Sequence, residues 1–268
     1  MQKGAIMSDS LATESRIEPV RRARFRVNLR SLFIGVFCCV LVGGLLWAVA
    51  IGPAREAGRM SKCACRLTQI GMAMQNYEGQ YGTFPPAYCQ LGGKPSSSWR
   101  LELIPFMELQ AEYDRYHRDE PWNSSFNRQL ADAVAAQRSM YRCPSAPSGQ
   151  NRSLANYVMP VGPGAISPGA AGVERAAIVD GTSYTIAVAE IADTDIYWTE
   201  PRDLPAAKMS YKVNDSFKPG ISSPHRGGAM AVFADGHTQW LSDSTDPDVV
   251  KALISIDGNE KVSLPLAR

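Results

Sequence analysis

Leu32–Ile51 reads LFIGVFCCVLVGGLLWAVAI, with no charged residue and no proline. A helix of about 20 residues, rising 1.5 Å per residue, spans the roughly 30 Å hydrocarbon core of a bilayer. Lipid gives backbone groups no hydrogen-bond partner, so one isolated segment must cross as a helix. A buried core helix is the competing explanation, but uncharged runs of this length are rare in soluble cores. A cleaved signal peptide is another, because Ala48-Val49-Ala50 has the small-x-small form of a cleavage site. The apolar run is longer than a signal core, however, and a long polar segment precedes it, which points to a retained anchor.

The flanks set the orientation. Arg16, Arg21, Arg22, Arg24, Arg26 and Arg30 precede the span, while Arg55, Arg59, Lys62 and Arg66 follow it. The larger basic excess belongs in the cytoplasm, which places the N-terminus inside. Three parts are therefore expected: an Arg-rich cytoplasmic tail (1–30), a transmembrane helix (31–52) and an exported globular domain (53–268). The expected location is the cytoplasmic (inner) membrane, with the lipid bilayer as partner through residues 32–51 and other envelope proteins as further partners. A formal net charge of +2 gives no reason to expect a nucleic-acid partner. A hydrophobic fraction of 45% is enough for a packed core.

Beyond Pro53, Met60, Cys63, Leu67, Ile70, Met74, Tyr77 and Tyr81 recur at alternating spacings of three and four. That is one apolar stripe on an amphipathic helix, which Gly82 and Pro85-Pro86 should end. Ser96-Ser97-Ser98 offers caps for a helix through Trp99 and Phe106 that Pro105 bends or divides. Another helix is expected over about 127–140. Short strands follow at 155–159, 176–179, 185–191, 196–199, 230–234 and 237–241, and a closing helix at 246–254. Asp235-Gly236 predicts a type I′ hairpin turn between the last two strands. The class is α+β: a long N-terminal helix, transmembrane and then amphipathic, packed on an antiparallel sheet.

Several blocks in this order resemble a known family. They are Ala54-Arg55-Glu56-Ala57 with Cys63 and Gln69-Ile70-Gly71; Tyr81-Gly82-Thr83-Phe84-Pro85-Pro86; Ser98-Trp99-Arg100 with Leu103-Ile104-Pro105; Pro121-Trp122-Asn123; Cys143-Pro144-Ser145; and Asp180-Gly181-Thr182-Ser183 with Glu190. His225, Gly227 and Gly228, followed by Asp235 and Gly236, complete an H-x9-DG signature. Together they resemble the large pilin-like family of planctomycete-type bacteria, a domain of unknown function with a prepilin-type N-terminal helix. The resemblance implies a pilin-like fold and no reaction. The chain departs from the family at its start: no prepilin peptidase site of the "GFTLIE" kind precedes the span, and the span carries no glutamate. A permanently anchored, pseudopilin-like envelope protein with a structural or interaction role is the resulting expectation.

The cysteines and the rarer side chains leave alternatives open. Four cysteines outside the span (Cys63, Cys65, Cys89, Cys143) allow three disulfide connectivities. Cys63-x-Cys65 lacks the C-x2-C spacing of common zinc sites. Cys63 and Cys143 both lie in family-like blocks; a disulfide between them closes a long loop, worth about 4 kcal/mol by the entropy model. Cys65–Cys89 is the complementary pair. His225, Asp235 and His237 form the compact His/Asp group from which a metal-dependent enzyme centred on His225 could be built. Trp198, Trp240, Tyr197 and Tyr211 suggest a glycan-binding platform as another alternative. Ser183 lacks a G-x-S-x-G context, and an extended strand would hold Asp180 and Glu190 about 30 Å apart. Neither an enzyme nor a cofactor is the leading expectation.

Overall fold

The structure, a computed structural model, describes residues 28–259 apart from 148 and 150; of residues 45–51 it describes the backbone alone. The arginines from Arg16 to Arg26 lie outside the described residues. The chain divides into two compact units between Ile51 and Gly52. Helix α1 is assigned from Leu29 to Tyr81. In the first unit, every described side chain from Arg30 to Gly44 is exposed, including Phe33, Phe37, Val40 and Leu41. Among the described residues no helix is long and apolar enough to cross a membrane, and the expected span 32–51 runs on into residues whose side chains are not among them.

The second unit is α+β. After α1 come β1 (Tyr88–Leu91), β2 (Lys94–Ser98), α2 (Trp99–Leu103), α3 (Gln110–Arg115) and α4 (Ser125–Gln137). Then follow β3 (Tyr157–Val158), β4 (Pro160–Val161), β5 (Ile186–Glu190), β6 (Leu204–Pro205), β7 (Gly228–Phe233), β8 (Thr238–Ser242) and α5 (Pro247–Ile254). The main sheet is antiparallel in the order β3-β5-β7-β8. β1 and β2 form a separate hairpin, and β4 and β6 a short parallel pair.

Strand alternation sorts the core into two layers. Ala229, Ala231 and Phe233 of β7 pack with Val250, Leu253 and Ile254 of α5. Val232 joins Val188 and the seam of α1, where Cys63, Leu67, Ile70 and Met74 are all buried. The α1 stripe thus faces the sheet over its middle, while Tyr81 at its end stays exposed. Gly82, at φ 78°, ends the helix in the left-handed conformation that an L side chain resists. Pro105 divides the next helix as its missing N–H requires: α2 stops at Leu103 and a 3-10 turn, Ile104–Met107, takes over.

Helix α1 approaches the sheet closely at Gly71. A Cβ there would lie 2.7 Å from Val232 Cγ2 and 2.9 Å from the Gly236 carbonyl oxygen. Gly71→Ala removes a helix-interior glycine, which by propensity alone is worth up to about 1 kcal/mol. Overpacking against sheet backbone that cannot swing aside outweighs this, and a net loss of about 1–3 kcal/mol is expected in denaturant unfolding. A stabilised Gly71→Ala protein would show that the helix seats differently.

Three local expectations are corrected, and one element is added. The segment 176–179 is not a strand but begins within a 3-10 turn, Arg175–Ala177, and 196–199 contributes only an isolated bridge between Leu154 and Tyr197. The Asp235-Gly236 turn is not type I′, since Gly236 has φ 92° but Asp235 has no positive φ. Val232 pairs with Thr238, and Gly236 N–H donates to the Phe233 carbonyl at 2.9 Å. This is the longer hairpin loop in which a tight turn is followed by glycine in the left-handed region. The β1–β2 hairpin was not anticipated, although Gly92-Gly93, with φ of 57° and 76°, carries its signal.

Candidate metal centre

Four segments meet under α1. Cys63 lies on the α1 seam. Glu190 ends β5 on the same face as Val188, since side chains two apart share a face. Its register partner on β3 is Tyr157, so both side chains point at α1. Cys143 sits in the Cys-Pro-Ser loop after α4, where its N–H donates to Asn156 Oδ1 at 3.1 Å. His225 precedes β7, and its N–H donates to Ser223 Oγ at 3.2 Å.

Cys63, Cys143, Glu190 and His225 each turn one ligand atom inward, and these atoms all lie within 4.8 Å of one another. Their exposures are 1%, 2%, 0% and 2%, so the group is closed to solvent. Sγ of Cys63 is 3.5 Å from Sγ of Cys143, which is 3.4 Å from His225 Nε2, and that nitrogen is 4.0 Å from Glu190 Oε1. The Cys63 thiol donates to Glu190 Oε1 and lies 2.9 Å from the Tyr157 hydroxyl. Glu190 Oε2 accepts the Met230 N–H at 2.8 Å, which fixes the carboxylate plane.

A second layer orients the first. His225 Nδ1 pairs with Glu56 Oε1 at 2.5 Å, and Glu56 is paired in turn with Arg59. The Ser145 N–H points at Cys143 Sγ from 3.4 Å. The electrostatics follow this layout. The hydrogen bond that Cys63 donates to Cys143, then burial and Glu190, pushes the Cys63 thiol far above its ordinary value. The same contact with Cys63 lowers Cys143. Burial works against a charged His225, but the Glu56 hydrogen bond and the charges of Cys143 and Glu190 prevail and raise it. Glu56 is lowered, chiefly by its bond to His225.

The residues singled out from sequence are distributed differently from expectation. The expected trio does not converge: among the described residues the convergent ligand group includes His225 but neither Asp235 nor His237. Those two pair with each other in the β7–β8 turn, Nδ1 to Oδ1 at 2.6 Å. Ser183 Oγ donates to Asp235 Oδ2 at 2.6 Å, so a carboxylate, not the imidazole of a serine triad, stands beside the hydroxyl. Asp180 instead accepts the N–H groups of Gly258 and Asn259. Cys63 and Cys143 come together as expected, but as two free thiols rather than a disulfide; Cys65 and Cys89 are free too. Tyr197 and Trp198 are buried, and Trp198 Nε1 donates to the Ala131 carbonyl at 3.2 Å, which removes both from any surface platform. Trp240 and Tyr211 are half-buried.

The H-x9-DG residues acquire a geometric meaning. His225 and Gly236 lie beyond opposite ends of β7, and both meet α1, at Glu56 and Gly71 respectively. The fifteen steps of helix from Glu56 to Gly71 rise about 22 Å. Gly227 turns the chain at φ 91° into β7. A Cβ on Gly228 would strike the Leu241 carbonyl oxygen and the Trp240 indole. In the sequence Glu56 stands out only as part of a longer block, Glu190 only in such a block and as a rejected partner for Asp180, and Tyr157 only within a strand.

Neither a curated protein nor a solved structure matches the chain. Residues 52–175 match the model of a family described as a protein of unknown function (DUF1559), a span that carries Glu56, Cys63 and Cys143 and ends before Glu190 and His225.

Proposed function

We propose that this chain is an envelope protein anchored in the cytoplasmic membrane by residues 32–51, N-terminus inside, which presents a pilin-like α+β domain on the outer side in a structural or interaction role. One observation carries the proposal: the uncharged apolar sequence beginning at Leu32 leaves its side chains exposed all around the helix as far as Gly44. A helix that is apolar on every side needs an apolar surrounding, and lipid supplies it. The arginines before the span support the orientation. A structural role fits a buried ligand group that no substrate reaches, together with a Ser183–Asp235–His237 chain in the wrong order for catalysis.

Fractionation of cells expressing the full-length chain tests this. The chain is expected in the membrane pellet, resistant to alkaline carbonate and released by detergent, with the domain open to protease added outside spheroplasts. Val40→Arg with Leu41→Arg puts two charges in the span, each costing about 2.5–3.5 kcal/mol of insertion, and should shift the chain out of the membrane fraction. Intact wild-type chain in the soluble cytosol sinks the proposal.

A further inference from the structure

We propose that Cys63 Sγ, Cys143 Sγ, Glu190 Oε1 and His225 Nε2 together bind one zinc ion that pins helix α1 to the sheet. This goes beyond the membrane reading and does not depend on it, since all four ligands lie within the 52–268 unit.

The geometry is that of a tetrahedral site slightly out of adjustment. With Zn–S near 2.3 Å and Zn–N or Zn–O near 2.0–2.1 Å, the tetrahedral edges are about 3.8 Å for S–S, about 3.5 Å for S–N and about 3.4 Å for N–O. Three of the separations are 3.5, 3.4 and 4.0 Å and all lie within 4.8 Å; the direct Cys63 Sγ–Glu190 Oε1 hydrogen bond must open, by side-chain rotation, to about 3.5 Å for the ion to enter. Two thiolates with an imidazole in a tetrahedral frame favour zinc over magnesium or calcium, which take oxygen ligands at higher coordination numbers. Four protein ligands with no opening to solvent are the mark of a structural rather than a catalytic zinc.

The surroundings are built for an ion. Glu56 on His225 Nδ1 forms the carboxylate–histidine–metal relay, which fixes the ring so that Nε2 faces the sulfurs. The Ser145 N–H and the Tyr157 hydroxyl are placed to donate to the two sulfurs as thiolates. A carboxylate and two cysteine thiolates in one buried space form an unfavourable set unless a cation gathers them. The ligands come from α1, the loop after α4, β5 and the loop before β7, so a single ion ties four distant segments and contributes directly to folding.

The test uses the full-length chain purified without chelator. Elemental analysis is expected to give one zinc per chain, and cobalt added after zinc removal should give the visible spectrum of a tetrahedral thiolate site. Cys65→Ser and Cys89→Ser, outside the group, should retain the zinc, whereas Cys143→Ser and His225→Ala should lose it. Glu56→Gln acts as a positioning variant: its side chain is partly exposed, so the fold should tolerate it, and chelator competition should show zinc held about 10–100-fold more weakly. A wild-type chain without stoichiometric zinc that also fails to take cobalt overturns the proposal, as does a Cys63–Cys143 disulfide found by mass mapping of the unreduced protein. Both readouts use the wild-type chain, so they decide the matter even if the ligand variants do not fold.

Discussion

Asp203→Ala is expected to lower the unfolding free energy by about 3–5 kcal/mol, because it strands a buried guanidinium. Arg100 and Asp203 have side-chain exposures of 0% and 2%, and the pair is bidentate: Nη2 to Oδ1 at 2.6 Å, Nη1 to Oδ2 at 3.3 Å. The remaining capacity of both groups is taken up. Arg100 also donates from Nε and Nη2 to the Tyr157 carbonyl at 3.0 and 2.9 Å, and from Nη1 to Ser98 Oγ at 2.8 Å. Asp203 accepts the Met159 N–H at 2.8 Å and the Trp99 indole N–H at 3.0 Å. Removing the carboxylate leaves a desolvated cation and two orphaned donors. Asp203→Asn, which keeps the shape and an acceptor, should cost less. Adding Arg100→Met to Asp203→Ala should cost less than the sum of the two single changes, since one change removes the charge that the other strands. Denaturant titration of the full-length protein and its variants measures this, and a loss under about 1 kcal/mol for Asp203→Ala would mean that water reaches Arg100.

The second large effect lies at the helix–sheet seam. Leu67 is fully buried on α1 within the layer formed by α1, α2 and the facing side of the sheet. Leu67→Ala removes its transfer free energy and leaves a cavity between rigid elements, for a loss of about 2–5 kcal/mol. Met72 on the same helix is 54% exposed, and Met72→Ala should fall within about 0.5 kcal/mol of the parent. The contrast is the informative result: similar losses at both positions would mean that α1 does not pack on the sheet through the stripe.

The neighbourhood of Arg100 shows how a sequence block can be visible while its purpose is not. Ser98-Trp99-Arg100 stood out as a unit. In the structure Ser98 caps α2 by accepting the Arg100 N–H, Trp99 donates to Asp203, and Arg100 pairs with the same carboxylate. Asp203 itself carried no signal, because it lies 103 residues from Arg100 on an irregular segment after which β6 begins. The buried ligand group behaved in the same way. The sequence offers Cys63–Cys143 as a possible disulfide among several pairings, and the two are near each other, but as free thiols beside a carboxylate and an imidazole. Asp235 and His237, close to His225 in sequence, are held apart from it by β7 and satisfy each other in the turn.

What the sequence determined by itself was the course of the helices and their ends, which neighbours along the chain govern. The three-and-four spacing from Cys63 to Met74 set the buried face of α1, Gly82 set its end, and Pro105 divided the following helix. These depend on hydrogen bonds and side-chain periodicities a few residues long, which composition and spacing encode. Only the tertiary structure decided which polar groups share a buried space. Glu56 meets His225 across 169 residues and Cys63 meets Glu190 across 127. Contacts at that range follow from how the α1 stripe seats on the β5–β7 face, so they exist only once the long-range packing has formed.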